Sequence, residues 1–357
     1  MTEMSITEVP ITAELIEPWF NDHAEFVKYI TEHSTTINNS ANPLRERLLK
    51  KELIKSIPIA ITIPELQAVD SANAQVMVGD LASILVQGVL YSTARKNIKT
   101  CNYRKTGPND EAFRHLAPGL RQLAEIRLIH DVSDLTILDN SFWSLLMDAN
   151  KTITAYHKLP ENSGKELFDN VVDTLYNKGL FVKAIANYNV VAVSKTATSK
   201  SISKNQNYSD LFKFPVSDRA LMSKVLQPGE YLIPQRLSIM TDGNFGIENR
   251  EFSSTDRSKI EHIYKESLGV LFYRPWAHQR AYRIEAHFSL LDDHDSLVAL
   301  LGAIKESTQI HGIMEPEPQF LADLLAKSVS TIAELYGPNN LFRVVGEDSV
   351  FNRSSEI

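Results

Sequence analysis

Two short apolar runs that each end in an aspartate constrain the fold of this chain more than any other feature. LQAVD occupies residues 66–70 and LTILD occupies residues 135–139. Both runs have the length and composition of a buried strand, so their backbones should lie in the interior while the last carboxylates emerge at a sheet edge. The sequence therefore predicts Asp70 and Asp139 at strand ends, with a polar turn, SANAQ, directly after Asp70.

Helical and strand-like segments alternate along the rest of the chain. A third buried strand, VVAVS (190–194), leads into Lys195, and VLFYRP with RAYRIEAHF predicts a hairpin near 270–288. Because strands and helices mix throughout, without a repeat or a linker, the class is α/β. Helices are predicted over residues 109–130, 145–156, 164–178, 295–307 and 318–336.

The chain divides into an N-terminal arm, a core and a tail. Residues 1–56 form a helical arm, in which a polar stretch (35–43) separates one helix over 13–31 from a second over 43–56. Residues 57–345 hold the α/β core, and the polar residues 346–357 form a flexible tail. The arm either packs against the core or binds a partner.

Composition and motif searches exclude several classes of protein. No apolar stretch reaches the roughly 18 residues of a membrane span, and residues 1–10 lack the basic region and apolar core of a secretory signal, so a cytoplasmic protein without a membrane partner is expected. Cys101 is the single cysteine, which excludes an internal disulfide. P-loop, dinucleotide-binding and nucleophile-elbow motifs are lacking. The net charge of −7 disfavours a general nucleic-acid coat, but not a nuclease whose acidic site binds cations.

The carboxylates at the strand ends predict a metal site. Asp70 and Asp139 would repel each other if they met, unless a cation lay between them, and Mg²⁺ and Mn²⁺ prefer such oxygen ligands. Glu125 on the preceding helix and Asp323 on the last helix could complete the cluster. Two cations about 4 Å apart would then activate water against a phosphodiester. Alternatively, an aspartate after a strand is a helix cap or a turn residue, and Asn140 after Asp139 suits that role.

Two basic stretches without acidic residues predict contacts with nucleic acid. One runs over 91–107 and includes two tyrosines that could stack on bases, and the other runs over 194–206. The alternative is that both are solvated loops. Lys195 differs from the rest because it directly follows a buried strand and could bind a phosphate oxygen. The predicted DNA-binding residues are Arg95, Lys96, Lys99, Arg104, Lys105 and Lys200.

The order of these segments resembles the NurA nucleases. LQAVDSANA, a helix with Glu125, LTILDNSF, VVAVSK, a hairpin ending RAYRIEAH, and PQFLADLLAK follow one another over about residues 60–335. The resemblance implies catalytic roles for Asp70, Glu125, Asp139 and Lys195, and metal ligation by Asp70, Glu125, Asp139 and Asp323. The chain departs from the family pattern where glycine usually follows each strand aspartate, and at Asp323, where histidine is common.

The resemblance also implies a fold, an activity and partners. The fold would be a ribonuclease-H-like mixed sheet flanked by helices, with the N-terminal helical arm and C-terminal helices added to it. The activity would be DNA hydrolysis, as an exonuclease or endonuclease, with Mn²⁺ or Mg²⁺ in a two-metal site. The partners would be DNA, a second copy in a homodimer and a HerA-type hexameric DNA-translocating ATPase, and a bacterial member would act in anti-phage defence or DNA end processing.

Two other functions stay open from the sequence. The first is a catalytically inactive NurA-like subunit that docks on the ATPase, which the missing glycines favour. The second is a junction-resolvase-like nuclease on the same core. Retention of Asp70, Glu125, Asp139, Lys195 and Asp323 favours catalysis.

Overall fold

A single mixed β-sheet organises the protein. The structure is a computed structural model that describes residues 13–58, 63–78, 80–93, 95, 97–108, 111–158, 171–177, 179–194, 199–237, 254–310 and 313–345. Within these ranges the sheet has ten strands. They are β1 Ile54–Ser56, β2 Leu66–Val78, β3 Leu81–Ser92, β4 Asn97–Pro108, β5 Leu135–Leu138, β6 Val190–Ser194, β7 Glu230–Leu232, β8 Gln235–Arg236, β9 Leu268–Arg274 and β10 Tyr282–His287.

The strand order explains how distant segments meet. The sheet runs β1-β7-β9-β10-β6-β5-β2-β3-β4, and β8 pairs with β9. Strands β2, β5 and β6 are parallel to one another, whereas the other pairs are antiparallel. The part β4-β3-β2-β5-β6, with two antiparallel strands beside three parallel ones, is a ribonuclease-H-like core. The predicted fold class is confirmed.

Helices cover both faces of this sheet, so its central strands are apolar on both sides. Val69 of β2 packs in one core cluster, together with residues of the helices between residues 13 and 185, whereas its neighbour Ala68 packs in the other, together with residues of the helices after residue 287. None of the helices within the described residues could span a membrane. The helices are α1 Ala13–Lys50, α2 Glu111–Ile129, α3 Phe142–Lys158, α4 Leu180–Ile185, α5 Ser201–Lys204, α6 Asp218–Val225, α7 Ser254–His262, α8 Phe288–Asp292, α9 His294–Ser307 and α10 Glu317–Val345, with π-helical turns at Asp173–Asn177 and Ile263–Ser267 and a 3-10 turn at Ser209–Leu211.

Helix α1 differs from the two helices that the sequence predicts. It continues through the polar stretch 35–43, because Ala41, Leu44 and Leu48 repeat at helical spacing and pack in the core. Arg45 on the same helix donates two hydrogen bonds to the Glu230 carboxylate of β7, at 2.6 and 2.8 Å. The end of the predicted arm is thus joined to the sheet. The domain boundary at 56 stays a prediction, and the tail 346–357 lies outside the described residues.

The predicted turn after Asp70 is wrong, because β2 passes straight through SANAQ. Ser71 pairs with Gly88 of β3, and the pairing continues to the end of β2. A glycine does allow a close approach near this position, but it lies on the neighbouring strand β3. A Cβ atom at Gly88 would lie 2.9 Å from the Cβ of Ala124, so the glycine lets α2 approach the sheet there. This close approach brings Glu125, the residue after Ala124, to β2.

Candidate metal centre

Three carboxylates from separate parts of the chain meet where β5 ends beside β2. One oxygen each of Asp70, Asp139 and Asp323 lies within 4.8 Å of the other two. The parallel register that places Val69 beside Leu138 brings the next residues of both segments, Asp70 and Asp139, together. Helix α10 packs across β2 and supplies Asp323. The structure thus brings together three of the four predicted metal ligands.

The electrostatics of this group fit a divalent cation. Asp70 is only 7% exposed, and this burial, with the nearby charges of Glu125 and Asp139 and a hydrogen bond with Asp323, raises its pKa from 3.8 to about 8. A hydrogen bond from the Ser71 amide, at 2.7 Å, favours the ionised form but is outweighed. Lys327 lies 2.7 Å from Asp323 and supplies one positive charge at the rim. A cation with oxygen ligands would supply the charge that the cluster needs.

Glu125 occupies the opposite face of β2. The Ser71 hydroxyl donates to its carboxylate at 2.5 Å, and Arg121 donates to the carbonyl and the hydroxyl of Ser71 at 3.1 and 3.3 Å. The pKa of Glu125 is raised, mainly by burial and further by the charges of Asp139 and Asp148, although Ser71 and Arg121 partly oppose the rise. Glu125 is not one of the three carboxylates whose oxygens lie within 4.8 Å of each other. Its role as a fourth ligand stays a prediction.

Gln319 is part of the site, although the sequence did not point to it. It is fully buried in the first turn of α10, where its side-chain amide donates to Oδ1 of Asp139 and, at 3.2 Å, to the carbonyl of Val193. Its carbonyl oxygen is buried and has no hydrogen-bond partner in the structure. Since both neighbours are acceptors, the amide nitrogen must face them. Helical spacing is the sequence signal that could have identified Gln319. It precedes Asp323 by four residues, as Arg121 precedes Glu125, so each pair lies on one face of its helix.

The described residues among those predicted to bind DNA do not all lie on one face of the sheet, and their role stays a prediction. Arg95 pairs with Glu65 and Asp134, at 3.1 and 3.2 Å. The basic stretch around it is largely the edge strand β4, on which Arg104 and Lys105 point to opposite faces because they are adjacent. Lys99 is exposed on the same strand, and Lys200 is exposed just before α5. Lys96 and the predicted catalytic Lys195 lie outside the described residues.

The fold and the carboxylate group place the chain in the ribonuclease-H-like class. Among solved structures, the NurA nuclease from Sulfolobus solfataricus is similar over 90% of this chain and 98% of its own, with a TM-score of 0.52 and 15% identity. A structure described as NurA is similar over 88% of this chain and 97% of its own, with a TM-score of 0.54 and 11% identity. Another, described as NurA with manganese, is similar over 86% of this chain and 94% of its own, with a TM-score of 0.52 and 11% identity.

Comparison at the sequence level adds no closer relative. No protein-family model matches the chain, and no curated protein matches it. The similarity therefore lies in the fold, over nearly the whole length of the solved structures. The resemblance to the NurA nucleases that the segment order indicates is confirmed at that level.

Proposed function

We propose that the protein is a divalent-metal-dependent deoxyribonuclease. The observation that carries this proposal is the meeting of Asp70, Asp139 and Asp323 within 4.8 Å on a ribonuclease-H-like sheet. Two comparisons support it, because the structurally similar proteins are described as NurA nucleases and one of them as NurA with manganese. The substrate would be DNA and the reaction hydrolysis of a phosphodiester.

The chain's own residues have distinct parts in this reaction. Asp70, Asp139 and Asp323 would hold Mn²⁺ or Mg²⁺, and Glu125 would be the added ligand if a second cation binds. The bound metal supplies Lewis acidity and a water molecule of lowered pKa. Gln319 fixes the orientation of the Asp139 carboxylate through its hydrogen bond to Oδ1. Asp70, whose pKa is raised to about 8, would have to be ionised to hold a cation.

A cleavage assay with labelled linear DNA and Mn²⁺ tests the activity. We expect the wild type to cut the DNA and Asp70→Asn to cut it at least about 100-fold more slowly, because the buried ligand charge is lost. Asp131→Asn is the matched control, since that aspartate side chain is 78% exposed and lies outside the site. Equal rates for the wild type and Asp70→Asn would refute the proposal, as would cleavage that persists in EDTA.

The inactive-subunit alternative loses one of its two arguments. It rested on the glycines missing after Asp70 and after Asp139, but the position after Asp70 lies inside β2, where Gly88 of the neighbouring strand gives α2 its close approach. A junction-resolvase-like activity has no observation of its own to favour it. Adding a four-way junction as a second substrate to the linear-DNA assay distinguishes the two activities, because a junction resolvase would cut the junction in preference to linear DNA.

We also propose a HerA-type ATPase and a second copy of this chain as partners. The support is on α1, whose described N-terminal part exposes large apolar side chains, including Phe26 at 59% and Val27 at 47%. Clusters of exposed apolar residues are typical of protein interfaces. Such a complex would act in DNA end processing or anti-phage defence.

Co-purification tests the ATPase proposal. The full-length chain is co-expressed with the P-loop ATPase encoded beside it. We expect a complex with the wild type, its loss with Phe26→Asp/Val27→Asp, and its retention with the control Lys28→Asp on the same exposed helix. A complex that survives the double substitution would refute docking through α1.

A further inference from the structure

A groove outside the metal centre carries positive charge without acidic residues. It has a volume of about 1010 Å³ and lies between α1, α6 and the turn that joins β9 to β10. Among the described residues, four cationic side chains line it, namely Arg219, Lys224, Arg274 and Arg280, and no aspartate or glutamate does. In a protein of net charge −7, such a concentration of one sign attracts a polyanion.

The cations of this groove have no carboxylate partners among the described residues. Arg219 donates to the carbonyl of Ala281 at 3.1 Å, and Arg274 donates only to three backbone carbonyls. Lys224 and Arg280 are exposed. Burial lowers the pKa of Arg219, and the nearby positive charge of Arg280 lowers it further.

Two carboxylates near the groove residues are engaged with other groups. Asp218, beside Arg219, accepts hydrogen bonds from Ser199 and from the amides of Ser201 and Ile202. Glu230 pairs with Arg45. Neither of these carboxylates lines the groove, so the positive charge on its wall is not cancelled there.

The wall formed by α1 adds aromatic surface. The rings of Tyr29 and His33 lie 4.3 Å apart, and those of His33 and Phe214 lie 4.5 Å apart. Tyr29 is 56% exposed and lines the groove with His33. Cations that follow a backbone, beside rings on which bases can stack, are the two parts of a site for single-stranded nucleic acid.

The β9–β10 turn that lines the groove lies at the same end of the sheet as the carboxylates. Arg283 of β10 pairs with Ser194, the last residue of β6, so this turn lies where β5 and β6 end. Strand β10 is three strand positions from β2, or roughly 14 Å at about 4.8 Å per position. Helices α1 and α6 pack on the face of the sheet opposite the carboxylates, so a bound strand would pass around this end of the sheet to reach them.

We propose that this groove binds single-stranded nucleic acid, with phosphates on Arg219, Lys224, Arg274 and Arg280 and bases on the Tyr29–His33 rings. It would guide the strand to Asp70, Asp139 and Asp323. The guiding role rests on the proposed nuclease function, whereas the binding itself does not.

The test is fluorescence anisotropy with a labelled oligothymidylate of about 20 nucleotides, in EDTA so that no cleavage occurs. We expect Lys224→Glu/Arg280→Glu to weaken binding about tenfold or more and to reduce the slope of log affinity against log salt by roughly 1.4, for two lost phosphate contacts. We expect Tyr29→Ala to weaken binding about fivefold or more. The control is Lys151→Glu/Lys183→Glu, with the same charge change at two exposed lysines outside the groove.

Three results would overturn the proposal. They are wild-type affinity in Lys224→Glu/Arg280→Glu, an equal loss in the control, and tighter binding of labelled polyglutamate than of oligothymidylate. Thermal unfolding of each variant verifies that it is folded. Cleavage with Mn²⁺ is measured separately, so groove-dependent binding without cleavage would refute the nuclease alone, and cleavage with groove-independent binding would refute the groove alone.

Discussion

The two faces of β2 carry buried acidic residues with different partners. On the face covered by α10, Asp70, Asp139 and Asp323 approach one another, and Lys327 is the cation paired at their rim. On the face covered by α2, Glu125 accepts a hydrogen bond from Ser71, and Arg121 lies against the same serine.

This difference teaches which face needs a ligand. Burial raises the pKa of both carboxylates, but for Glu125 the Ser71 hydroxyl and the nearby charge of Arg121 partly oppose the rise. Asp70 has only the hydrogen bond from the Ser71 amide to oppose burial and the neighbouring carboxylates, and its pKa rises to about 8. The α10 face is therefore the one that a metal ion would stabilise, while the α2 face supports the strand that holds it.

The largest effect is expected from Asp323→Asn on the α10 face. Loss of one of three ligand charges should slow Mn²⁺-dependent cleavage at least about 100-fold and weaken Mn²⁺ binding at least about tenfold. Cleavage rates and isothermal titration with Mn²⁺ measure both effects. Near-normal values in this variant would show that α10 contributes no ligand to the metal centre. The control is Asp295→Asn, a substitution of an exposed aspartate of α9.

Gln319→Leu should have the next largest effect. The leucine keeps the volume but cannot donate to Asp139, so cleavage should fall by about 10-fold to 100-fold, as for other residues that orient a metal ligand. Gln319→Glu should be at least as slow, because its charge would face the Asp139 carboxylate. A role in packing alone would leave the metal affinity of Gln319→Leu unchanged, and that result would contradict the assignment.

Glu125→Gln should separate the two faces most clearly. The amide retains a partner for Ser71, so we expect roughly tenfold slower cleavage while the tightest Mn²⁺ site keeps its affinity. Isothermal titration beside Asp323→Asn makes the comparison. If Glu125→Gln instead abolishes tight binding, Glu125 is a ligand of that site, and the contrast between the faces fails.

The smallest effect is a dependence of stability on pH in the metal-free protein. Between pH 4 and about 8 the folded chain retains the Asp70 proton that the unfolded chain has lost, so the free energy of unfolding should fall as pH rises through this range. Urea unfolding in EDTA at several pH values measures it. The dependence should be weaker in Asp70→Asn, and equal slopes in the two proteins would contradict the raised pKa.

The sequence was informative where a signal is local. The apolar runs that end in Asp70 and Asp139 predict buried strands with carboxylates at their ends, and the structure pairs these strands in parallel. The β9–β10 hairpin follows from its strand pattern. SANAQ was interpreted as a turn because its residues are small and polar. The pairing of Ser71 with Gly88 makes it a strand, and that pairing depends on residues distant in the chain.

The binding surfaces were harder to predict for the same physical reason. The basic stretch 91–107 is dense in sequence, but pairing in β3 and β4 divides its side chains between two faces. The groove takes its cations from α6 and from the β9–β10 turn, which contribute two each, so no local charge run marks it. Gln319 is similar, because its importance comes from a contact with Asp139, 180 residues away.

The most direct test of the central claim is a titration of the metal-free protein with Mn²⁺, followed by calorimetry and thermal unfolding. We expect saturable binding that raises the unfolding temperature of the wild type and releases more protons at pH 7 than at pH 9, because Asp70 must ionise. In Asp70→Asn this binding should be at least about tenfold weaker. Binding that is absent from the wild type, or equal in both proteins, would contradict a metal centre at Asp70.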